Sequence, residues 1–468
     1  MEYSRLFPSA PAKFFFVGIG GIGMSGLAQL MAAKGYQVCG SDRGLDEPGK
    51  AELYSALASQ GIKLYPQDGS GIAAASPDAI VVSTAVEDGN PDIVAAKDIP
   101  ILHRAFALSR TLNSCNIPLI AVAGSCGKTS VTGWIASALH ALGERVLVVN
   151  GGYYAGKITP PYPGNFMMDA NPQWAVAEID ESDRSISEFS PEYGLLLNVG
   201  NDHYGEDELR QVFAAFLTRC KNGAVTSVEL KDLASGLKCP LALFDTKSSD
   251  SSAVSPTDYS MDSAGIRFFA NGFGEVRSSQ SGRHSASNAC AVLALLKMLG
   301  LKCTDTQLAT SIAAFPGIRQ RFEVMGKSTY GLPLVNDYAH NPEKIEAAIS
   351  TAHDRFGSPI VAFFQPHGFA PLGFMREKLL DTLANVLLPG DSFCMLPVFY
   401  AGGTAAFTPT SEELIAELKQ KHICKDGVSL FAFTREKIQT ALDATPNAKA
   451  IIVMGARDSS LRPWTATL

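Results

Sequence analysis

The chain has 468 residues, enough for about three domains at the usual ~100–200 residues each. Hydrophobic residues make up 46 % and charged residues 18 %, with a net charge of −7 and no block of like charge, so neither disorder nor a nucleic-acid partner is indicated. The 9 scattered cysteines, without a C-x-x-C, fit reduced thiols in a cytoplasmic protein better than a disulfide framework or zinc site, and no run of ~18 apolar residues reads as a membrane span.

Short apolar strands alternate with helical stretches throughout, which predicts α/β architecture with mostly parallel sheets. A first unit, residues 1–115, holds strands at 13–17, 37–40, 79–82 and 100–102, with a helix at 24–34. A second, residues 116–315, opens with a strand at 118–123 and a helix at 130–142, closed by Gly143. Further strands are predicted at 145–149, 174–179 and 193–199, and a helix at 285–299. Residues 153–172 and 245–259 read as loops, being rich in Pro, Gly and Asn or in Ser, Asp and Thr. The pattern resets near Phe315-Pro316-Gly317, and a third α/β unit, residues 316–468, carries strands at 334–337, 360–364, 391–396 and 450–454.

Two glycine loops stand between a strand and a helix. Gly18-Ile19-Gly20-Gly21-Ile22-Gly23 fits G-x-G-x-x-G, whose glycines let the backbone approach a pyrophosphate at a helix N-terminus. Asp42, about 20 residues on, stands where a ribose hydroxyl partner would sit. The motif alone does not separate NAD from another diphosphate ligand, so an NAD-dependent oxidoreductase stays open here. In the second loop, Gly124-Ser125-Cys126-Gly127-Lys128-Thr129-Ser130, successive N–H groups can surround phosphates. Lys128 can neutralise β/γ oxygens, and Thr129 or Ser130 can offer a hydroxyl to Mg²⁺. A full Walker A would need glycine where Val122 stands, so this is a short variant.

Strand ends supply further candidates. Glu178, Asp180, Glu181 and Asp183 place four acids in six residues, a set suited to a hard cation. Asp202 and His203 end the next strand, as a candidate metal or phosphate partner. In the third unit, His340 and His367 each follow a strand.

Taken in order, these motifs resemble the Mur ligase family over nearly the whole chain. Seven segments are in register: 18–26, 83–86 with Asn90-Pro91, 124–129, 177–183, 198–203, 282–288 and 315–322. The resemblance implies an N-terminal Rossmann-like UDP-substrate domain, a central P-loop ATPase domain and a C-terminal Rossmann-like domain. It implies an ATP-dependent, ADP-forming ligase that joins an amino acid, L-alanine in the branch most resembled, to UDP-N-acetylmuramate through an acyl phosphate. A recycling ligase of the same family, adding a murein tripeptide, is the alternative. By resemblance, Gly18, Gly20, Gly21, Gly23, Met24, Ser25, Asp42 and Ser83 would hold the UDP substrate. Gly124 to Ser130 with His284, Asn288, Arg321 and Asp337 would hold ATP. Thr129, Glu178 and His203 would bind Mg²⁺ or Mn²⁺, with Glu181 a substitute for Glu178. Lys128, Glu178 and His203 would serve catalysis, and His340 and His367 would face the amino acid.

Four positions depart from the family pattern. Cys126 stands for a His, Asn341 interrupts an H-H-P, Gly368 replaces the Arg of F-Q-P-H-R, and Arg457 sits in a G-A-G-D-like segment. Residues 213–218 contain no Lys, so a carbamylated lysine is not expected.

Overall fold

A computed structural model describes residues 1–155, 164–181, 185–200, 206–247, 250–400, 406–420 and 427–468. Its central feature is already visible in Lys13–Val17, whose Phe14, Phe15, Phe16 and Val17 are all fully buried. Alternate side chains leave a strand on opposite faces. Accordingly Phe14 and Phe16 join one apolar core while Phe15 and Val17 join another. Only a sheet covered on both faces accepts such a strand.

That strand is central in a five-stranded parallel sheet, ordered Lys63–Pro66, Gln37–Asp42, Lys13–Val17, Ala79–Val82, Ile101–His103. A seven-stranded sheet follows, ordered Leu241–Phe244, Gly223–Ser227, Tyr193–Leu196, Leu119–Ala123, Trp174–Glu178, Val146–Val149, Phe166–Met168. It is parallel except for Phe166–Met168, which runs antiparallel to Val146–Val149. Three further strands, Pro256–Asp262, Gly265–Ala270 and Gly274–Ser278, form a small sheet. The last sheet is ordered Glu323–Lys327, Pro333–Asp337, Ile451–Gly455, Val361–Gln365, Ser392–Met395, Ser429–Ala432, with only its first strand antiparallel.

Contacts divide the chain into two compact units. One holds Met1–Ser260, Arg267–Ser279 and Arg283–Ile318, and so contains both glycine loops; the other holds Met261–Ile266, Gln280–Gly282 and Arg319–Leu468. In the first unit the helix after the second glycine loop, Lys128–Ala141, is fixed by Trp134. Its ring stacks on Phe315 at 5.0 Å and its Nε1 donates to the Ile312 carbonyl at 2.9 Å. Gly317 accepts from the Ala155 N–H at 2.9 Å, and Ile318 is buried. Residues 316–318 thus pack with the second sequence segment, a little beyond the expected boundary at 315. Two predicted loops also hold strands: Phe166–Met168 lies within 153–172, and Pro256–Asp262 begins within 245–259.

Candidate active site

The helix after the first loop, Ile22–Ala33, starts at Gly21 with no side-chain cap. Its first-turn N–H groups therefore face the loop, the arrangement that favours an anion. Asp42 builds the loop from behind. Its Oδ2 accepts from Gly20 N at 2.8 Å, and its Oδ1 accepts from Gly44 N at 2.8 Å and Tyr54 Oη at 2.9 Å. Burial, and then the Asp42 charge, push the Tyr54 pKa up, so the phenol stays a donor. These bonds hold the Asp42 carboxylate against its own loop. Ser25 and Met24 are also buried. Ser25 Oγ donates into its own helix turn, to the Gly21 carbonyl at 3.0 Å, and accepts from Asn165 Nδ2 at 2.8 Å. That Ser25 bond joins the helix to Asn165, just before strand Phe166–Met168, while Met24 packs beside Gly21 of the loop. Ser83 follows Ala79–Val82 directly and is partly buried.

Sequence reasoning missed Arg104, the first residue of helix Arg104–Asn113. Its Nη1 lies 2.6 Å from where a Cβ on Gly23 would stand, so glycine there admits a guanidinium over the loop. Its Nη2 is 3.5 Å from Asp180 Oδ2. The only sequence signal was an Arg two residues after a predicted strand.

The second loop leaves strand Leu119–Ala123, between Trp174–Glu178 and Tyr193–Leu196. Ligands of open α/β sheets collect at such carboxyl ends. Gly124 and Gly127 take φ of 133° and 88°, and Lys128–Ala141 begins at Gly127 without a side-chain cap. Asn198 shapes the turn. Its Oδ1 accepts from Cys126 N at 2.8 Å and its Nδ2 donates to the Cys126 carbonyl at 2.9 Å. Ser125 Oγ accepts from Gly200 N at 2.9 Å. Thr129 is buried and Ser130 partly so, while the Cys126 side chain is exposed. Asn288 Oδ1 lies 3.4 Å from a Cβ built on Gly127, and His284 is exposed one turn earlier on helix Arg283–Met298.

The acids after Trp174–Glu178 separate instead of forming one cation cage. Glu178 Oε2 accepts from Gly151 N at 2.9 Å, and Oε1 has no partner among the described residues. Asp180 turns to Arg104. Both oxygens of Glu181 accept from Lys128 Nζ, at 2.9 and 2.8 Å, and Nζ also donates to the Gly124 carbonyl at 2.6 Å. The pair is nearly enclosed, with side chains 13 % and 5 % exposed. Burial raises the Glu181 pKa, and Lys128 opposes that rise. Glu181 is thus the counter-ion of Lys128. Successive backbone carbonyls and alternating strand faces explain the divergence: residues 178, 180 and 181 leave a strand end in different directions. Asp183, Asp202 and His203 lie outside the described residues. Among the described residues, no three Cys, His, Asp or Glu side chains gather as a metal cage.

In the second unit, Asp337 Oδ2 accepts from Phe322 N at 2.6 Å and Oδ1 from Ala339 N at 2.7 Å. Burial pushes its pKa up to about 6, against those N–H groups and the Arg321 and Lys344 charges. Arg321 is exposed. The His340 and His367 rings stand edge to face at 5.2 Å. Burial, then His340 and then Arg457, hold the His367 pKa down to about 4. His340 Nδ1 lies 2.9 Å from the Tyr338 carbonyl.

Two uncapped, glycine-started helices, a lysine on the second and a carboxylate with a spare oxygen define a nucleotide-dependent enzyme of the P-loop α/β class. Comparison with known proteins is consistent along the chain: the Mur ligase family catalytic domain matches residues 13–114, the Mur ligase middle domain 122–296, and the Mur ligase glutamate ligase domain 320–457. The chain belongs to the Mur ligase family, the ATP-dependent, ADP-forming carbon–nitrogen ligases. It is 29 % identical to the UDP-N-acetylmuramate–L-alanine ligase of Synechococcus sp. strain RCC307, over 96 % of this chain and 94 % of that one. Identity to the enzyme of the same name from Sinorhizobium medicae is 30 %, over 88 % and 87 %. Among solved structures, UDP-N-acetylmuramate-alanine ligase from Thermotoga maritima aligns with a TM-score of 0.77 at 26 % identity, over 97 % of each chain. The murein peptide ligase of Psychrobacter arcticus shares the fold, with a TM-score of 0.64 at 20 % identity over 97 % and 99 %. No helix among the described residues is long and apolar enough to cross a membrane.

Proposed function

We propose that this protein joins an amino acid, L-alanine, to UDP-N-acetylmuramate at the expense of ATP. The observation that carries the reading is the pair of glycine-started helix N-termini in one unit, with residues 178–181 reaching to both loops. A UDP diphosphate fits the first loop, where the N–H groups of Ile22–Ala33 and the Arg104 guanidinium supply positive charge. ATP fits the second, where Asn288 approaches the turn from helix Arg283–Met298.

The muramate carboxylate attacks the γ-phosphorus, ADP leaves, and an acyl phosphate forms. The amine then attacks the acyl carbon, loses a proton and expels phosphate. Little covalent chemistry falls to the protein: its task is to hold the attacking oxygen in line and neutralise the γ-phosphoryl oxygens. Lys128 does the latter, and must first exchange Glu181 for phosphate. The donor set suits a hard divalent cation, since Glu178 has a spare oxygen and Gly151 lacks the Cβ that would come within 2.3 Å of that carboxylate. Thr129, Glu178 and His203 would hold Mg²⁺ or Mn²⁺, which supplies charge neutralisation across the phosphates. His340 and His367 stand on the amino-acid side. His367 is neutral there at ordinary pH and acts as a hydrogen-bonding group, not a cation.

The test is phosphate release from ATP in the presence of UDP-N-acetylmuramate and an amine. Release should require both, and L-alanine should outcompete a murein tripeptide. Preference for the tripeptide would move the protein to the recycling reaction. Release that ignores UDP-N-acetylmuramate would end the ligase reading.

A further inference from the structure

The second unit carries a cation that the reaction above does not use. Arg457 follows strand Ile451–Gly455 at φ 67°, a left-handed conformation that glycine adopts freely and an arginine adopts against its own Cβ. Its side chain is exposed and makes no ion pair or hydrogen bond among the described residues. The neighbouring Arg435 is, by contrast, spent: it bonds Asp458 and donates to Gln365 Oε1 at 2.8 Å. A strained backbone that holds an unpaired cation in place points toward function.

Register shows which residues share that end of the sheet. Gly455 pairs with Gln365, so Arg457 and His367 stand equally far beyond one rung of adjacent parallel strands. Met454 in turn pairs with Asp337, which leads into His340. The three residues therefore crown three adjacent strand ends. His367 Nδ1 is buried there without a hydrogen-bond partner. Beside it, helix Phe369–Val386 starts at Gly368, which has φ 140° and no side chain to cap the helix. The corner thus offers a free guanidinium, an unsatisfied ring nitrogen and an uncapped 18-residue helix, all favourable to a small carboxylate.

We propose that Arg457 binds the α-carboxylate of the incoming amino acid and so selects acids over neutral amines. This rests on the ligase reading. Arg457 forms a charge-assisted, two-pronged contact with the carboxylate, and the His340–His367 pair lies alongside. The chemical step remains with the phosphate loops, so Arg457 governs KM for the amino acid far more than kcat.

The experiment compares wild type, Arg457→Gly and Arg457→Lys with ATP, UDP-N-acetylmuramate and three amines. These are the amino acid that wins the competition above, its own amide, and hydroxylamine, which traps an acyl phosphate as the hydroxamate. Arg457→Gly suits the left-handed backbone, so its Tm should not fall. It should raise KM for the amino acid about ten- to a hundredfold with kcat changed little. KM for the amide should stay unchanged, and Arg457→Lys should recover part of the loss. Hydroxamate formed equally by wild type and Arg457→Gly, with the same KM for the amino acid, would overturn the role of Arg457 and leave the ligase standing. No hydroxamate from wild type would overturn the ligase reading itself, and this proposal with it.

Discussion

Replacing Lys128 by Ala does two separable things. It removes the cation proposed to neutralise the γ-phosphoryl oxygens, and it leaves Glu181 buried without its partner at 2.8 Å. Both side chains are well under a third exposed, so solvent screening does little to soften the second effect. Removing one member of an enclosed pair costs about 3 kcal/mol or somewhat more. In a compact unit of roughly 300 residues, whose unfolding entropy is about 2.1 cal/mol/K per residue, this lowers Tm by roughly 5 °C. The deficit depends on pH. Burial already raises the Glu181 pKa, and Lys128 is what holds it back. A carboxyl group with a raised pKa in the folded state favours folding below its unfolded pKa, and that contribution is lost as pH rises through the folded value. Without Lys128 the folded pKa climbs further. The Lys128→Ala deficit should therefore be full at neutral and alkaline pH and shrink as pH falls toward the ordinary carboxylate range. Glu181→Gln in the same chain removes the uncompensated charge. The double variant should regain most of the lost Tm while remaining inactive. Scanning calorimetry across pH, with phosphate release in parallel, reads both effects. A deficit independent of pH, or one that Glu181→Gln leaves untouched, would refute the account of the pair.

Two further perturbations separate the two phosphate loops. Gly151→Ala places a Cβ within 2.3 Å of Glu178 Oε2 and must displace that carboxylate. The Mg²⁺ concentration for half-maximal activity should rise at least tenfold, with KM for UDP-N-acetylmuramate little changed; a magnesium titration checks this. Arg104→Ala removes the guanidinium over Gly23. KM for UDP-N-acetylmuramate should rise about ten- to a hundredfold, as for loss of a charged hydrogen bond. KM for ATP should move much less in the same steady-state series.

The architecture was legible in the chain because strands and glycine turns punctuate it sharply. Lys13–Val17 and Ala79–Val82 match their expected bounds residue for residue, and most other strands lie within a few residues. What escaped was short or locally polar. Phe166–Met168 has three residues and pairs as an antiparallel edge, too brief for periodicity to register inside a Pro- and Gly-rich stretch. Gly223–Ser227 is fully buried yet reads as small and polar. At the candidate site, spacing placed both glycine loops, Lys128 and Glu178 at strand ends, where the structure also has them. It failed on partners. Composition put four acids on one cation, whereas folding brings Glu181 to a lysine 53 residues away and Asp180 to Arg104. For Asp42, likewise, spacing did not foretell the bonds its carboxylate makes to the N–H groups of its own loop and to Tyr54.

The short path from Glu178 to Glu181 has a thermodynamic consequence. Three carboxylates on four consecutive residues end at a backbone amide beside the cation site, at the arginine of one phosphate loop and at the lysine of the other. When nucleotide phosphates take Lys128 from Glu181, the released carboxylate sits one peptide from the Asp180–Arg104 contact. Linkage is reciprocal: the factor by which ATP alters affinity for the uridine nucleotide must equal the factor by which the uridine nucleotide alters affinity for ATP. A segment of four residues thus touches both proposed nucleotide sites, and any coupling it carries must be the same in either order of addition.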